Sequence, residues 1–222
     1  MNTPYLSELA AAAVSVAIVY AYHYFLRMRV RRDPGYTIQA VLRQGRTAWV
    51  ERMMAESQGI LAVQTLRNAI MGASFFASTA VALIVGTITL STQYDRLNVA
   101  WQTLSPIGAI DEHLWLMKIL VLLIDMLSAF VFFSQSIRLM SHVGIIISVP
   151  TATMRPAFVA DMLIQAGRYH TRGMRCYYFA APLLFWLFGP LLLVVSTCAL
   201  VGALYYLDKS PTRHLDEEMP PD

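Results

Sequence analysis

Asp125 is the residue in this sequence with the most chemical interest, because it lies inside the apolar run Leu114–Phe133. A carboxylate at membrane depth is costly and faces a bundle interior or a wet cavity. Its functional use is as a proton or cation site; its structural use is as a hydrogen-bonded packing residue. Lys118 stands seven residues earlier on the same helix face. That separation is about 10 Å along the axis, too far for direct pairing. Lys118 is expected only ~6 Å deep, so its stem can snorkel to the headgroups. Asp125, ~12 Å from the nearer membrane face, cannot. Ser78 and Thr79 fall at equal depth on the preceding antiparallel segment and are its expected partners, with Arg67 a third if it reaches inward.

Other constellations are weaker. His23 and His142 both fall near the same ends of apolar segments, where two histidines could ligate a haem or metal across a bundle. Surface or interface roles are the commoner use. Asp111, Glu112 and His113 are consecutive, so on a helix they point to different faces and make a poor metal site; the two acids suit a helix N-terminus instead. Cys176 and Cys198, on one last helix, would be roughly 33 Å apart and unable to pair. No nucleophile elbow, phosphate loop, HExxH or CxxC occurs. The expectation is a protein that is not an enzyme, with no metal and no cofactor.

The elements that hold these residues are four apolar segments, Leu6–Met28, Ile60–Leu90, Leu114–Phe133 and Tyr178–Tyr206. Each reaches the ~20 residues that a helix needs to cross a bilayer core. Apolar residues make up 57% of the 222-residue chain and charged residues 14%, well below the soluble average of about 25%. The fold class is all-α: an integral membrane four-helix bundle over residues 1–207, then an acidic, proline-containing tail over 208–222. Arg27, Arg29, Arg31, Arg32, Arg43, Arg46, Arg52 and Arg67 crowd one connection, and Arg138, Arg155, Arg168, Arg172 and Arg175 another. Only Arg96 marks the connection Ser91–His113. The positive-inside rule puts both basic segments in the cytoplasm and both termini outside. A cell membrane follows, the inner one in a bacterium. The charges follow the first segment, so it should be retained as an anchor.

Two amphipathic stretches lie between the segments. Ile38, Val41, Leu42, Trp49 and Met53 fall at helical spacing, as do Phe158, Val159, Met162, Leu163 and Tyr169 after Pro156. They read as cytoplasmic interfacial helices, with packing under the bundle as the alternative. Ser74, Ser78, Ala82 and Gly86 recur every four residues, a spacing that lets helix backbones approach closely, inside the monomer rather than across a dimer. Pro182 and Gly189-Pro190 predict kinks in the last segment. Lipid is an expected partner; nucleic acid is not, since no aromatic residues interleave with the arginines.

Three stretches carry a family resemblance: Leu66–Ala80 (LRNAIMGASFFASTA), Phe132–Ile147 (FFSQSIRLMSHVGIII) and Arg172–Pro190 (RGMRCYYFAAPLLFWLFGP). The chain resembles family 599 of the domains of unknown function, four-helix membrane proteins of bacteria and plants. The resemblance implies the fold and no activity. It directs interest to Arg67, Asn68, Arg138 and His142, at the cytoplasmic ends of the second and third segments. The function expected is helix association, as a homo-oligomer or an accessory subunit of a larger membrane complex, with an ion or proton channel or small transporter as the alternative.

Overall fold

The computed structural model describes residues 3–32, 36–93 and 112–208. Every element among them is a helix: α1 (Thr3–Arg32), α2 (Ile38–Ala55), α3 (Gly59–Ser91), α4 (Glu112–Ile146), α5 (Pro156–Trp186) and α6 (Pro190–Asp208). Four of these, α1, α3, α4 and α6, are long and apolar enough to cross a membrane. Asp33-Pro34-Gly35, Arg96, Trp101, Asp111 and the tail past Asp208 lie outside the described residues.

Long stretches without an interior proline let α3 and α4 run for 33 and 35 residues. At ~1.5 Å per residue both exceed a bilayer core of about 30 Å, so their ends project beyond it. The central layer is α3, α4 and α5. Ala73, Ala77 and Ala80 of α3 are buried against Ala129 and Phe133 of α4. The Phe133 ring stacks on Phe76 at 5.4 Å and meets the His170 and Tyr177 rings at 5.4 and 5.6 Å. Gly173 leaves the space for it, since a Cβ there would lie 2.8 Å from Phe133 Cε2 and Cζ. The alanines bring the backbones close, so one large ring fills the remaining gap.

The fourth apolar segment differs from expectation. It is not one kinked helix but the end of α5 and all of α6, folded back at Leu187–Gly189. Gly189 adopts φ +140°, a region a Cβ disfavours, and Pro190 starts the new helix where it lacks no needed N–H. A kink signal and a reversal signal use the same residues. Here the chain reverses because Leu187 is buried with Trp115 and Ile119, and α6 then finds α1 to pack on.

This reversal moves other expectations. The amphipathic stretch after Pro156 is helical, but it is the first half of the 31-residue α5, which lies along α4 through its whole length. The other stretch, α2, runs beside α5 instead of lying across it: Gln39 meets Asp208 at one end, and Val50 and Met53 join the core with Val159 and Leu163 at the other. Cys176 and Cys198 therefore sit on different helices; both are free, Cys176 buried and Cys198 exposed. The start of α1 meets Lys118 and Trp186, whereas the end of α6 meets Tyr22 and Arg175. The first and last described helix ends are thus at opposite ends of the bundle, not together as an even number of crossings would require.

Candidate functional site

Two polar clusters tie α1 to the bundle. α1 buries only Ala11, Ser15 and Tyr22 among its described residues, too little apolar contact to hold it alone. At one end Lys118 Nζ donates to Glu8 Oε1 at 2.7 Å, and Trp186 Nε1 donates to Glu8 Oε2 at 2.7 Å. The ammonium also lies 5.6 Å from the Trp186 ring centroid. The Lys118 side chain is 4% exposed and that of Glu8 14%. Lys118 therefore does not snorkel: a carboxylate at its own depth is a nearer partner than the headgroups.

At the other end Asp208 is the hub. Its Oδ2 accepts from Tyr22 Oη at 2.8 Å and pairs with Arg175 Nη2 at 3.5 Å, and its Oδ1 accepts from Gln39 Nε2 at 3.1 Å. Arg175 Nη1 also donates to His23 Nε2 at 3.0 Å, while His23 Nδ1 lies 2.8 Å from Val19 O. A guanidinium can only donate, so Nε2 accepts and the His23 proton sits on Nδ1. One cluster thus joins α1, α2, α5 and α6.

A cavity of 610 Å³ lies between α1 and the α4–α5–α6 side. Its lining includes Trp186 of the first cluster and His23 of the second, with Arg27 beyond. Ser15 also lines it, 7% exposed, and its hydroxyl has no hydrogen-bond partner among the described residues. Between the clusters is Asp125. Its Oδ2 is buried and without a hydrogen-bond partner among the described residues, and the Cys176 thiol lies within hydrogen-bonding reach of the carboxyl. Asp125 is one turn along α4 from Val121, which lines the cavity. Cys176 follows Arg175 directly, so the thiol at Asp125 and the guanidinium of the second cluster hang from adjacent residues.

The expected partners of Asp125 are not brought to it. Thr79 Oγ1 donates to Phe75 O of its own helix, Ser78 is exposed, and Arg67 is exposed. Helix rotation decides this: the alanine face of α3 turns to α4, which swings Ser78 away. For the same reason the stripe of Ser74, Ser78, Ala82 and Gly86 is not a contact inside the monomer. Ser74 is half-buried, and the other three face outward. Arg67, Asn68, Arg138 and His142 are all exposed, and no hydrogen bond or ion pair joins them. His142 is not near His23: Gly144, two residues on, packs by Leu66, whereas His23 meets Arg175, two residues past the Gly173 that packs on Phe133. Both ring nitrogens of His23 are already engaged. Among the described residues no three His, Cys, Asp or Glu side chains gather as metal ligands.

Sequence reasoning missed Glu8, Tyr22, Gln39, Arg175, Trp186 and Asp208. One signal was available: Glu8 is the only acid in the first apolar stretch and Lys118 the only lysine in the third. The Asp208 cluster carried none, because its members come from four helices.

The family described as "Protein of unknown function, DUF599" matches residues 10–212. No curated protein and no solved structure matches the chain.

Proposed function

The chain belongs to that family of unknown function, and we propose from its own geometry that this multi-pass membrane protein passes protons or small cations, with Asp125 as the exchanging group. The observation that supports this reading is the buried Asp125 oxygen without a hydrogen-bond partner among the described residues. Buried carboxylate oxygens are paired in the great majority of cases, and intramembrane ionisable groups mark ion pathways. The two clusters fit such a path. Glu8–Lys118 and Asp208–Arg175 flank Asp125 on opposite sides, and the cavity is lined by one neighbour of each pair, Trp186 and His23.

The orientation follows from charge. Arg27, Arg29, Arg31, Arg32, Arg43, Arg46, Arg52, Arg67, Arg138 and Arg155 all fall toward the Asp208 end, which the positive-inside rule makes cytoplasmic. Asp208 is then inside and the start of α1 outside, in a cell membrane.

Flux into liposomes under a pH or cation gradient tests the reading, with wild type beside Asp125→Asn. The variant keeps the shape and loses the exchangeable charge. It is expected to fold and to lose flux to the level of empty vesicles; equal flux from both rules Asp125 out.

A second reading, association as a homo-oligomer or accessory subunit, is favoured by the outward stripe. Ser78, Ala82 and Gly86 are exposed on α3, and an added Cβ at Gly72 or Gly86 would meet nothing within 4 Å. Ala82→Leu should leave the monomer's stability unchanged and reduce any assembly seen by native mass determination. Unchanged assembly removes this reading.

A further inference from the structure

A second cavity lies apart from the Asp125 path. α2 and α3 leave their shared turn at Ser57 in diverging directions, and between them opens a groove of 600 Å³ backed by α4 and α5. This volume is within the range of small-molecule sites, about 300–1,000 Å³. Its lining is mostly apolar: the Thr65 and Ser136 hydroxyls are engaged by Leu61 O and Ala166 O, and Arg46 and His170 are the groups that bring charge and ring nitrogens to it. No acidic residue lines it.

Arg46 is the unusual group. It is half-buried, yet it makes no hydrogen bond or ion pair with any described residue. Its guanidinium rests on the backbone of Gly167, where an added methyl would overlap it. The acids of its own helix are elsewhere: Glu51 is exposed, and Glu56 pairs with Arg52 at 3.0 Å. Burial costs the guanidinium hydration and pulls its pKa down from the usual arginine value. A cation held this way, without a counter-charge, is set for an anion that arrives from outside.

The rest of the groove says what the anion is attached to. Ala69, Gly72, Ala73 and Phe76 of α3 form an apolar wall of the groove. α3 is one of the helices apolar enough to cross the membrane, and its neighbouring residues Met71 and Phe75 are exposed as lipid-facing side chains would be. Ala69, Gly72 and Ala73 are small, so this wall leaves room beside it for an acyl chain.

We propose that this groove is a binding site for an anionic phospholipid, with the phosphate on Arg46 and one acyl chain along Ala69, Gly72, Ala73 and Phe76. A planar guanidinium suits a phosphate through two parallel N–H donors. The site lies on the basic side of the bundle, where anionic lipid is attracted in any case. Arg46 adds a fixed position to that general attraction.

The test uses the whole protein in vesicles of phosphatidylcholine and phosphatidylglycerol of equal chain length. Lipid retained after gentle extraction is counted by native mass spectrometry. Wild type should retain phosphatidylglycerol in preference. Arg46→Gln should lower that preference at least tenfold, Arg46→Lys should keep most of it, and Arg43→Gln, an exposed charge on the same helix, should leave it unchanged. No preference in wild type, or an unaltered one in Arg46→Gln, overturns the proposal, as does displacement of the lipid by inorganic phosphate at equal concentration. Wild type alone gives a second readout that needs no variant to fold. Phosphatidylglycerol with a photoreactive acyl chain should label α3 between Ala69 and Phe76. Labelling confined to α1 and α6, or protein–protein crosslinks across the groove, overturns the proposal.

Discussion

Removing either member of the Glu8–Lys118 pair should destabilise the bundle by about 3–5 kcal/mol, the cost of leaving a buried charge unpaired. The charges are 2.7 Å apart, an attraction of about 6 kcal/mol at an effective dielectric of 20. Desolvating two ions costs several kcal/mol each, so the intact pair is near break-even. The deficit appears only when one ion is left. In Lys118→Met the Glu8 carboxylate retains, among the described residues, the Trp186 N–H, and in Glu8→Gln the ammonium loses its counter-charge and keeps a neutral amide acceptor and the Trp186 ring. The double variant Glu8→Gln with Lys118→Met buries no charge and keeps an acceptor for Trp186. It should recover to within about 1–2 kcal/mol of wild type, giving a coupling of about 4 kcal/mol or more. Reversible unfolding in mixed detergent, followed by helicity and by tryptophan emission, measures all four states. Single losses below about 1 kcal/mol, or a double variant equal to the sum of the singles, would refute the argument that this pair is desolvated.

Three further outcomes follow from the packing. Gly173→Ala should cost about 1–3 kcal/mol through overpacking, because the added Cβ would fall 2.8 Å from the Phe133 ring; the same unfolding experiment reads it, and Gly202→Ala, with open space around it, is the control. Ser57 ends α2 at φ 53°, with Gln58 N donating to Met53 O at 2.9 Å in a Schellman closure, so Ser57→Gly should stabilise by about 0.5–1 kcal/mol. A reporter active only in the cytoplasm, fused after Asp222, should give a strong signal, since the start of α1 and the end of α6 lie at opposite ends; silence from a well-expressed fusion would reverse the proposed orientation.

Composition and apolar run length by themselves determined that this is an all-α chain with four helices able to cross a membrane, because the bilayer demands internal backbone pairing over a fixed thickness. They also marked Asp125, since a lone charge in hydrocarbon is conspicuous in any alignment of the helices. Tertiary structure decided the rest. Whether Gly189-Pro190 bends or reverses the chain depends on what α6 can pack against. Whether Ser78 or Ala77 meets α4 depends on a rotation of about 100° per residue, and a stripe of serines and a stripe of alanines offer that choice almost evenly. Whether Lys118 seeks the headgroups or Glu8 depends on a helix more than a hundred residues away. Periodicity reports which faces a helix has, but which neighbour each face meets is a sum of long-range contacts, and Tyr22, Gln39, Arg175 and Asp208 become one site only when four helices have closed around them.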